Sequence, residues 1–564
     1  MNKPLYKKTY FKIAAILLIL IILTPMAYFS ILKRFYPPKV EDKSALLLER
    51  EKITDSIFVC KDSWLKQNKY DLWEMYLEGS PFDMGAKNGI LTKELSEYQE
   101  KAFMEQIRVM VPSESYLKFL KYFIGWFNRD MALHVPLEYQ KEIYGVSQSA
   151  SPEFNFVSKP YHRFLNYHAA HDIGHALQNM NMVYCTAFGV KNERSADETM
   201  VIGRNFDLYI GDKFADNKIV TFINPENGYK LSTISWAGMI GAISGMNEKG
   251  LTICYNSAKS DIPKSAKIPV SILARKILQY ASTIDEAYEI ARSHKTFVSG
   301  SFLIGSASEN RMVVIEKTKR EIDMFETGTD EIILTNHYQG EKLKDRDLNI
   351  QNIEESSSLY RWERTKELLD RQEKHDIRTF AEILRDRKGK NDEDIGMGNE
   401  KALNQLIAHH SIIFKPQELK FWISSNPFQL GSYVAYDLNK VFADTFDIKT
   451  DLITELYNED LNIPEDEFIH TEEYQNFLKY KEETKRFEDL LKAKKHKEIK
   501  EEEIIDYLKL NPEFYNTWVV SGNYYKSTGQ KDKAIEHYET ALSKEIPWQS
   551  EKEKIAKILK KIKK

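Results

Sequence analysis

The sequence predicts a layered α+β domain that follows a membrane anchor and lies between two helical regions. Two observations support this prediction. A 20-residue run without charge occurs near the N-terminus, and short β-type runs separated by turns begin abruptly at residue 185. A chain of 564 residues exceeds one ordinary domain, so we expect roughly two to four folding units.

The composition is that of a largely soluble globular protein, with 42% apolar and 29% charged residues. The 80 Lys and Arg residues against 84 Asp and Glu residues give a formal net charge of −4, and no basic field favours nucleic acid as a partner. Cys60, Cys185 and Cys254 lack the spacing of a metal site. A single bridge between Cys60 and Cys254 is compatible with the sequence, so cysteine usage leaves the redox compartment open.

The uncharged run at residues 13–32 matches the length needed to cross a hydrocarbon core of ~30 Å as a helix. A cleaved signal peptide is the alternative, but the run is long, contains Pro25 and is not followed by a clear small-x-small cleavage site. We expect residues 1–34 to form an uncleaved single-pass anchor. The rest of the chain is then expected on the non-cytoplasmic side, periplasmic or extracellular, although Lys33 and Arg34 weaken the charge contrast.

Residues 35–184 are rich in aromatic and charged residues. In the run 116–123, apolar residues recur at the spacing of one helix face. We therefore predict a mostly helical N-terminal segment over 35–184.

Strands and helices alternate from residue 185 onward, which is typical of a layered α+β domain over residues 185–450. Helices are predicted at 269–294, where Thr283 and Glu286 form a capping-box pattern, and at 358–384. The predicted strands are 185–190, 199–206, 218–223, 231–235, 301–307, 311–318, 321–326, 331–338, 418–424 and 432–438.

Residues 451–564 are polar and helical in pattern. One stretch has the spacing of a single tetratricopeptide (TPR) unit, carried by Trp518, Gly522, Tyr525, Ala534, Tyr538, Ala541 and Pro547. Ordinary packing of a helical hairpin explains the same residues, and no second copy lies upstream. A protein partner at these C-terminal helices is therefore one of two interpretations.

Cys185 and Thr186 open the β region, and Arg204 and Asp207 lie at the end of the next predicted strand. Two antiparallel strands would bring these residues together. A neighbouring arginine favours a thiolate, and a carboxylate can hold an ammonium group in place. On its own this pattern does not distinguish a nucleophile from a buried structural cysteine.

A series of short motifs accompanies Cys185-Thr186 along residues 185–440. They are Gly-Arg-Asn-Phe-Asp at 203–207, Gly-Met-Asn-Glu-Lys-Gly-Leu at 245–251 followed by Tyr-Asn at 255–256, Val-Ile-Glu-Lys-Thr at 314–318, Leu-Thr-Asn-His at 334–337 and Ser-Leu-Tyr-Arg-Trp-Glu-Arg at 358–364. Their order and spacing resemble the choloylglycine hydrolase and penicillin acyltransferase (acyl-CoA:6-aminopenicillanic acid acyltransferase) branch of the N-terminal nucleophile (Ntn) hydrolases. This branch is also similar to acid ceramidase.

The resemblance implies a four-layer αββα sandwich and self-cleavage at the Tyr184–Cys185 bond. The residues before Cys185 would then be a propeptide-like subunit that stays in the membrane. Penicillin acyltransferase has a glycine where this chain has Tyr184. The freed α-amino group of Cys185 would act as general base for its own thiol.

The resemblance also implies roles for further residues. Asp207 would orient the free amine, and Arg204 would stabilise the thiolate or contact substrate. Asn256 and Asn336 would lie near the developing oxyanion, and Arg361 would complete the charged network.

We therefore expect a cofactor-independent hydrolase or acyltransferase that cleaves an amide-linked small molecule, with lipid-like compounds among the candidates, through an acyl-cysteine intermediate. Hydrolysis and transfer are equally compatible with the sequence. One alternative is a phospholipase-type ester hydrolase on the same fold, and another is an inactive anchored scaffold that recruits partners through its C-terminal helices.

Two groups of histidines have less specific patterns. His168, His171 and His175, with Asp172, have a helical spacing that allows convergence on a metal, but we interpret them as residues that line a pocket or make hydrogen bonds. His409 and His410 are predicted at a helix end or turn, without a role.

Overall fold

The computed structural model describes residues 36–170, 172, 184–443, 452 and 454–564. The predicted anchor at residues 13–32 lies outside this part of the chain. None of the helices within the described residues combines the length and apolar character that a membrane crossing requires.

The strands of the described residues form one eleven-stranded and one six-stranded sheet. Their bounds are β1 Glu51–Lys52, β2 Ile57–Cys60, β3 Ser63–Gln67, β4 Trp73–Gly79, β5 Thr186–Asn192, β6 Glu198–Asp207, β7 Ile219–Pro225, β8 Leu231–Ser235, β9 Ser244–Asn247, β10 Leu251–Ala258, β11 Ser299–Ser306, β12 Arg311–Lys317, β13 Ile322–Phe325, β14 Glu331–Leu334, β15 Ala408–Lys415, β16 Lys420–Ser424 and β17 Tyr433–Asp437. The larger sheet has the order β1-β2-β3-β4-β7-β8-β9-β10-β11-β12-β13, and the smaller one β14-β5-β6-β15-β16-β17. Neighbouring strands are antiparallel except β4 and β7, which are parallel.

Helices lie before, between and after these strands. The α-helices are α1 Pro81–Leu91, α2 Lys93–Met110, α3 Glu114–Phe127, α4 Leu137–Ser147, α5 Pro160–His168, α6 Val270–Tyr280, α7 Ile284–Ser293, α8 Asp347–Glu355, α9 Ser358–Asp370, α10 Ile377–Leu384, α11 Leu438–Val441, α12 Glu472–Lys492, α13 Glu501–Leu510, α14 Tyr515–Ser527, α15 Lys531–Ser543 and α16 Gln549–Lys563. The capping box predicted from Thr283 and Glu286 is present at the start of α7.

The two sheets face each other across an apolar core. Cys254 and Leu303 of the larger sheet belong to the same buried cluster as Ile412 and Phe421 of the smaller sheet. Helices cover the outer faces: α1, α4, α6 and α7 pack on the larger sheet, and α9 and α10 pack on the smaller one. The predicted α+β sandwich is thereby confirmed.

The block 35–184 differs from the mostly helical segment that we predicted. Its first part forms β1 to β4, which extend the larger sheet through the pairing of β4 with β7. A two-residue turn at Lys61 and Asp62 joins β2 to β3, with Lys61 at a φ of 61°. Such turns usually carry Gly or Asn, so the hairpin had no sequence signal. Within the described residues, the α-helices of this block all lie from Pro81 onward.

Strand β15 was not predicted, and the expectation of a helix end or turn at His409 and His410 is wrong. Both histidines are fully buried in β15, which lies between β6 and β16. An interior strand buried on both faces lacks the alternation of polar and apolar residues by which strands are recognised.

The C-terminal helices α12 to α16 enclose an apolar core of their own, which also includes Met397, Leu406 and Leu430 of the sandwich. Helices α14 and α15 form the predicted hairpin. A Cβ atom at Gly522 would lie 3.1 Å from the Tyr538 ring, so these helices approach each other closely. The assignment of this hairpin as a TPR unit stays a prediction.

Candidate active site

Cys185 directly precedes β5, at the end of the strand that lies beside β6 in the smaller sheet. The pairing of Thr186 with Asn205 places Tyr184 opposite Asp207, whose carbonyl oxygen accepts the Tyr184 N–H at 3.1 Å. Cys185 is fully buried. In the uncleaved chain the candidate nucleophile is therefore enclosed by protein.

Arg204 is the cation nearest to the thiol. Its Nη2 atom lies 3.4 Å from Cys185 Sγ and also donates to the carbonyl oxygen of Tyr255. Its Nη1 atom donates to Ser244 Oγ at 2.5 Å. These bonds, and contact with the Phe206 ring at 4.6 Å, hold the guanidinium in one orientation toward the sulfur.

The thiol of Cys185 is nevertheless harder to ionise than an ordinary cysteine in this uncleaved state. Burial raises its pKa, and Asp207 acts in the same direction, while Arg204 and Arg361 oppose them. The sulfur is therefore protonated at neutral pH and needs a base before it can attack efficiently.

Asp207 carries a buried carboxyl group, and neither of its oxygens has a hydrogen-bond partner within the described residues. Burial raises the pKa of this carboxyl to about 8, although Arg361 and Arg204 both lower it. A buried carboxylate without a partner is costly. An ammonium group released beside it would supply the missing partner.

Arg361 reaches the nucleophile from α9. Its Nη1 atom donates to the carbonyl oxygen of Cys185 at 2.7 Å and to Thr186 Oγ1 at 2.8 Å, and its Nη2 atom donates to Asn336 Oδ1 at 2.7 Å. Burial lowers the pKa of Arg361 to about 10, so it remains charged at neutral pH. It fixes the backbone of the nucleophile.

Asn256 and Asn336 lie next to these arginines, but their amide groups donate to main-chain carbonyls. Asn256 Nδ2 donates to the carbonyl oxygens of Leu334 and Thr335 at 3.2 and 3.1 Å, and Asn336 Nδ2 to that of Ser257 at 2.8 Å. Asn256 Oδ1 accepts from Arg204 Nε at 3.4 Å. In the uncleaved chain both residues orient the arginines, and a role at the oxyanion stays a prediction.

Three polar residues of the site were missed by the sequence analysis. Ser244 Oγ lies between Arg204 and His410 Nε2, 2.8 Å from the latter. Gln405 Nε2 donates to the carbonyl oxygen of Tyr184 at 3.0 Å. Ser244 directly precedes the 245–251 motif, which was a usable signal, whereas nothing in the sequence marks Gln405 or His410.

His168 and Asp172 have structural partners. His168 Nδ1 donates to the carbonyl oxygen of Phe164 at 2.7 Å, and its Nε2 accepts the N–H of Ile240 at 3.0 Å. Burial lowers its pKa to about 4. Asp172 Oδ2 accepts the N–H of Val270 at 2.9 Å, at the start of α6. His171 and His175 lie outside the described residues.

A small, mostly apolar pocket of about 40 Å³ lies beside the site. Leu208, which directly follows Asp207, lines this pocket together with Phe103, Phe164, Phe214 and Trp236. The position and lining of the pocket suit an apolar group held close to the nucleophile.

Part of this chain is similar to a known protein family. The model of the acyl-coenzyme A:6-aminopenicillanic acid acyl-transferase family matches residues 193–428. An uncharacterized protein of Archaeoglobus fulgidus is 23% identical over 249 residues, which are 41% of this chain. The match spans 40% of the length of that relative.

Two solved structures are also similar. The Caenorhabditis elegans N-acylethanolamine-hydrolyzing acid amidase ortholog has 17% identity and a TM-score of 0.29, over 41% of this chain and 93% of its own. A mutant conjugated bile acid hydrolase from Clostridium perfringens has 15% identity and a TM-score of 0.32, over 45% of this chain and 93% of the hydrolase chain.

The family match starts after Cys185 and contains Arg204, Asp207, Asn256, Asn336 and Arg361. Over residues 193–428 it confirms the resemblance to penicillin acyltransferase that the motifs predicted.

Proposed function

We propose that this protein is a self-processing N-terminal-cysteine hydrolase or acyltransferase that cleaves an amide-linked acyl compound through an acyl-Cys185 intermediate. The observation that carries the proposal is the buried Asp207 carboxyl, which lacks a hydrogen-bond partner within the described residues and lies beside Cys185. A free α-ammonium group at Cys185 would satisfy this carboxylate. The uncleaved chain has no such group.

Self-cleavage begins when Cys185 Sγ attacks the carbonyl carbon of Tyr184. A C–S bond forms, the C–N bond to Cys185 breaks, and the thiol proton passes to the leaving nitrogen. Water then hydrolyses the thioester, which releases the Tyr184 carboxylate and restores the thiol. The new α-amine would then lie beside Asp207.

Turnover uses the same sulfur. An α-amine titrates near ~8 and can accept the thiol proton as the sulfur attacks the substrate carbonyl. Arg204, 3.4 Å from the sulfur, stabilises the developing thiolate. The substrate amine leaves with the proton, and water or a second nucleophile resolves the acyl-cysteine.

The substrate class follows from the surroundings of the nucleophile. The pocket beside Leu208 presents apolar and aromatic side chains next to the nucleophile, which favours lipid-like N-acyl compounds. Helix α3 exposes the aromatic side chains of Tyr116, Phe119, Tyr122 and Trp126, with exposed fractions of 52, 61, 75 and 55%. An aromatic face of this kind suits contact with a bilayer.

Membrane attachment is part of the proposal. The run at residues 13–32 would anchor the chain by a single pass with the catalytic domain on the non-cytoplasmic side, and the aromatic face of α3 would rest on the same bilayer. Lipid-like substrates would then reach the pocket from the membrane surface.

Intact-mass measurement with N-terminal sequencing tests the processing step. We expect two chains, the second beginning at Cys185, and one uncleaved chain for Cys185→Ala. An active preparation from the native host that remains a single polypeptide would contradict the proposal.

Trapping of the acyl-enzyme tests the chemistry. Mass spectrometry after incubation with N-acyl amino acids, acyl amines and acyl esters should detect acylation of Cys185 by the amides. Acylation by the esters alone would instead favour an ester hydrolase.

A further inference from the structure

The carbonyl group of Tyr184, at the bond proposed to be cleaved, has a dedicated side-chain partner. Gln405 Nε2 donates to its oxygen at 3.0 Å. Gln405 is fully buried, and its Oε1 atom has no hydrogen-bond partner within the described residues. The hydrogen bonding of this buried amide is therefore directed at the scissile carbonyl.

This contact has the geometry of an oxyanion donor. Attack by Cys185 Sγ moves negative charge onto the Tyr184 carbonyl oxygen, and a fixed donor at about 2.7–3.1 Å in a site without water stabilises that charge strongly. The amide groups of Asn256 and Asn336 donate to other carbonyls, so they do not supply this donor in the uncleaved chain.

The Gln405 loop is held by the C-terminal helical region. Asn399 Nδ2 donates to the carbonyl oxygen of Glu545 at 2.9 Å, and Lys401 forms an ion pair with the Glu545 carboxylate. Both contacts tie the segment just before Gln405 to the chain between α15 and α16.

The same region also holds the residue whose carbonyl is attacked. The Trp548 ring packs against the Tyr184 ring, with the two centroids 5.1 Å apart. Trp548 directly precedes α16. The C-terminal helices thus contact both partners of the hydrogen bond, the donor loop and the acyl-side residue.

We infer that Gln405 is a catalytic residue of self-cleavage, which donates to the Tyr184 oxyanion, and that Trp548 of the C-terminal helical region is a positioning residue for the same step. The inference rests on the proposed self-cleavage at Tyr184–Cys185. It gives the C-terminal helices a role within this chain that is independent of any protein partner.

The test is a time course of self-cleavage, followed by intact mass in the full-length protein. Gln405→Ala should slow cleavage about 10²-fold, the usual effect of losing one oxyanion donor. Gln429→Ala is the matched control, because Gln429 is also fully buried, donates to one main-chain carbonyl and has an unpaired Oε1 within the described residues. It should cleave at the wild-type rate.

Gln405→Glu keeps the size of the side chain and separates catalysis from folding. Its ionised carboxylate cannot donate, so cleavage should be slow at neutral pH. Its rate relative to wild type should rise as the pH falls, because the protonated carboxyl regains a donor. A purely structural role would leave this ratio constant, and a constant ratio would overturn the inference.

Trp548→Ala should slow cleavage by about tenfold, an effect of about 1.4 kcal/mol on the barrier. Trp518→Ala should not slow it, because Trp518 lies in the same helical region but packs against His537. Wild-type cleavage rates in folded Gln405→Ala would refute the inference and leave self-cleavage intact. Absence of cleavage in the wild type would refute both.

Discussion

Arg204 Nη2 lies 3.4 Å from Cys185 Sγ, and both side chains are fully buried. Within this buried site, Arg204 is the group that most strongly favours the thiolate. Removing Arg204 should therefore change the pKa of the Cys185 thiol.

Arg204→Met should raise the pKa of the Cys185 thiol and lower turnover at pH 7 by about 10²-fold, with the pH–rate profile displaced to higher pH. Arg204→Lys keeps the positive charge and should therefore lose less turnover than Arg204→Met. The profile of kcat/KM against pH for an N-acyl substrate measures the effect. An unchanged profile in Arg204→Met would show that another group ionises the sulfur.

Cys185→Ala should abolish both processing and turnover, because one sulfur performs both attacks. Cys185→Ser is more informative. A hydroxyl is a poorer nucleophile than a thiol at neutral pH, so we expect slow processing and a loss of turnover of several orders of magnitude. Mass spectrometry of the chains and of trapped acyl-enzyme measures the two steps. Wild-type turnover in Cys185→Ala, or acylation of another residue, would contradict the proposed nucleophile.

Asp207→Asn should change the pH dependence of stability in the uncleaved Cys185→Ala background. Burial raises the pKa of the Asp207 carboxyl to about 8, from about 3.9 in an unfolded chain. Its contribution to stability is therefore complete below about pH 4 and is lost as the pH rises toward about 8.

The amide introduced by Asp207→Asn cannot ionise, so a protein that carries it should not lose this stability as the pH rises. Relative to Cys185→Ala alone, the double variant should gain at least about 1 kcal/mol in free energy of unfolding between pH 5 and pH 8, measured by urea denaturation. Equal pH slopes for the two proteins would show that Asp207 is paired in solution. In the otherwise wild-type chain, Asp207→Asn should lower turnover more than stability, because the free amine loses its partner.

Phe103→Trp should shorten the acyl chain that the enzyme accepts, because Phe103 lines the pocket that begins at Leu208. We expect kcat/KM for long N-acyl chains to fall about tenfold or more and that for short chains to change little. Trp518→Ala serves as the control, because Trp518 does not line this pocket. Equal losses for long and short chains would place the acyl group elsewhere.

Deletion of residues 1–34 should release most of the protein from membranes, because no other uncharged run in the sequence reaches spanning length. Weak binding of the truncated protein to lipid vesicles should remain through the aromatic face of α3. Adding Tyr122→Ser and Trp126→Ser should remove it, as measured by co-sedimentation after a high-salt wash. Full membrane retention of this last protein would locate the anchor in another part of the chain.

Much of the site could be predicted because its residues lie in short local patterns. Cys185, Arg204 and Asp207 fall on adjacent strands joined by a short turn, so their proximity followed from antiparallel pairing. Asn256, Asn336 and Arg361 come from distant segments, and only the resemblance to a family linked them to the cysteine. The carbonyl groups to which their side chains donate could not be predicted, because a motif identifies a residue and not the direction of its donors.

The sequence by itself determined the principal strands that follow Cys185, the capping box of α7 and the candidate nucleophile. These features depend on neighbours along the chain. Only the tertiary structure decided that residues 51–79 extend the sheet, that Asp207 is buried without a partner within the described residues, and that Gln405 and Trp548 meet at Tyr184. The physical reason is that burial and hydrogen bonding arise between segments separated by hundreds of residues, where sequence spacing carries no information about distance.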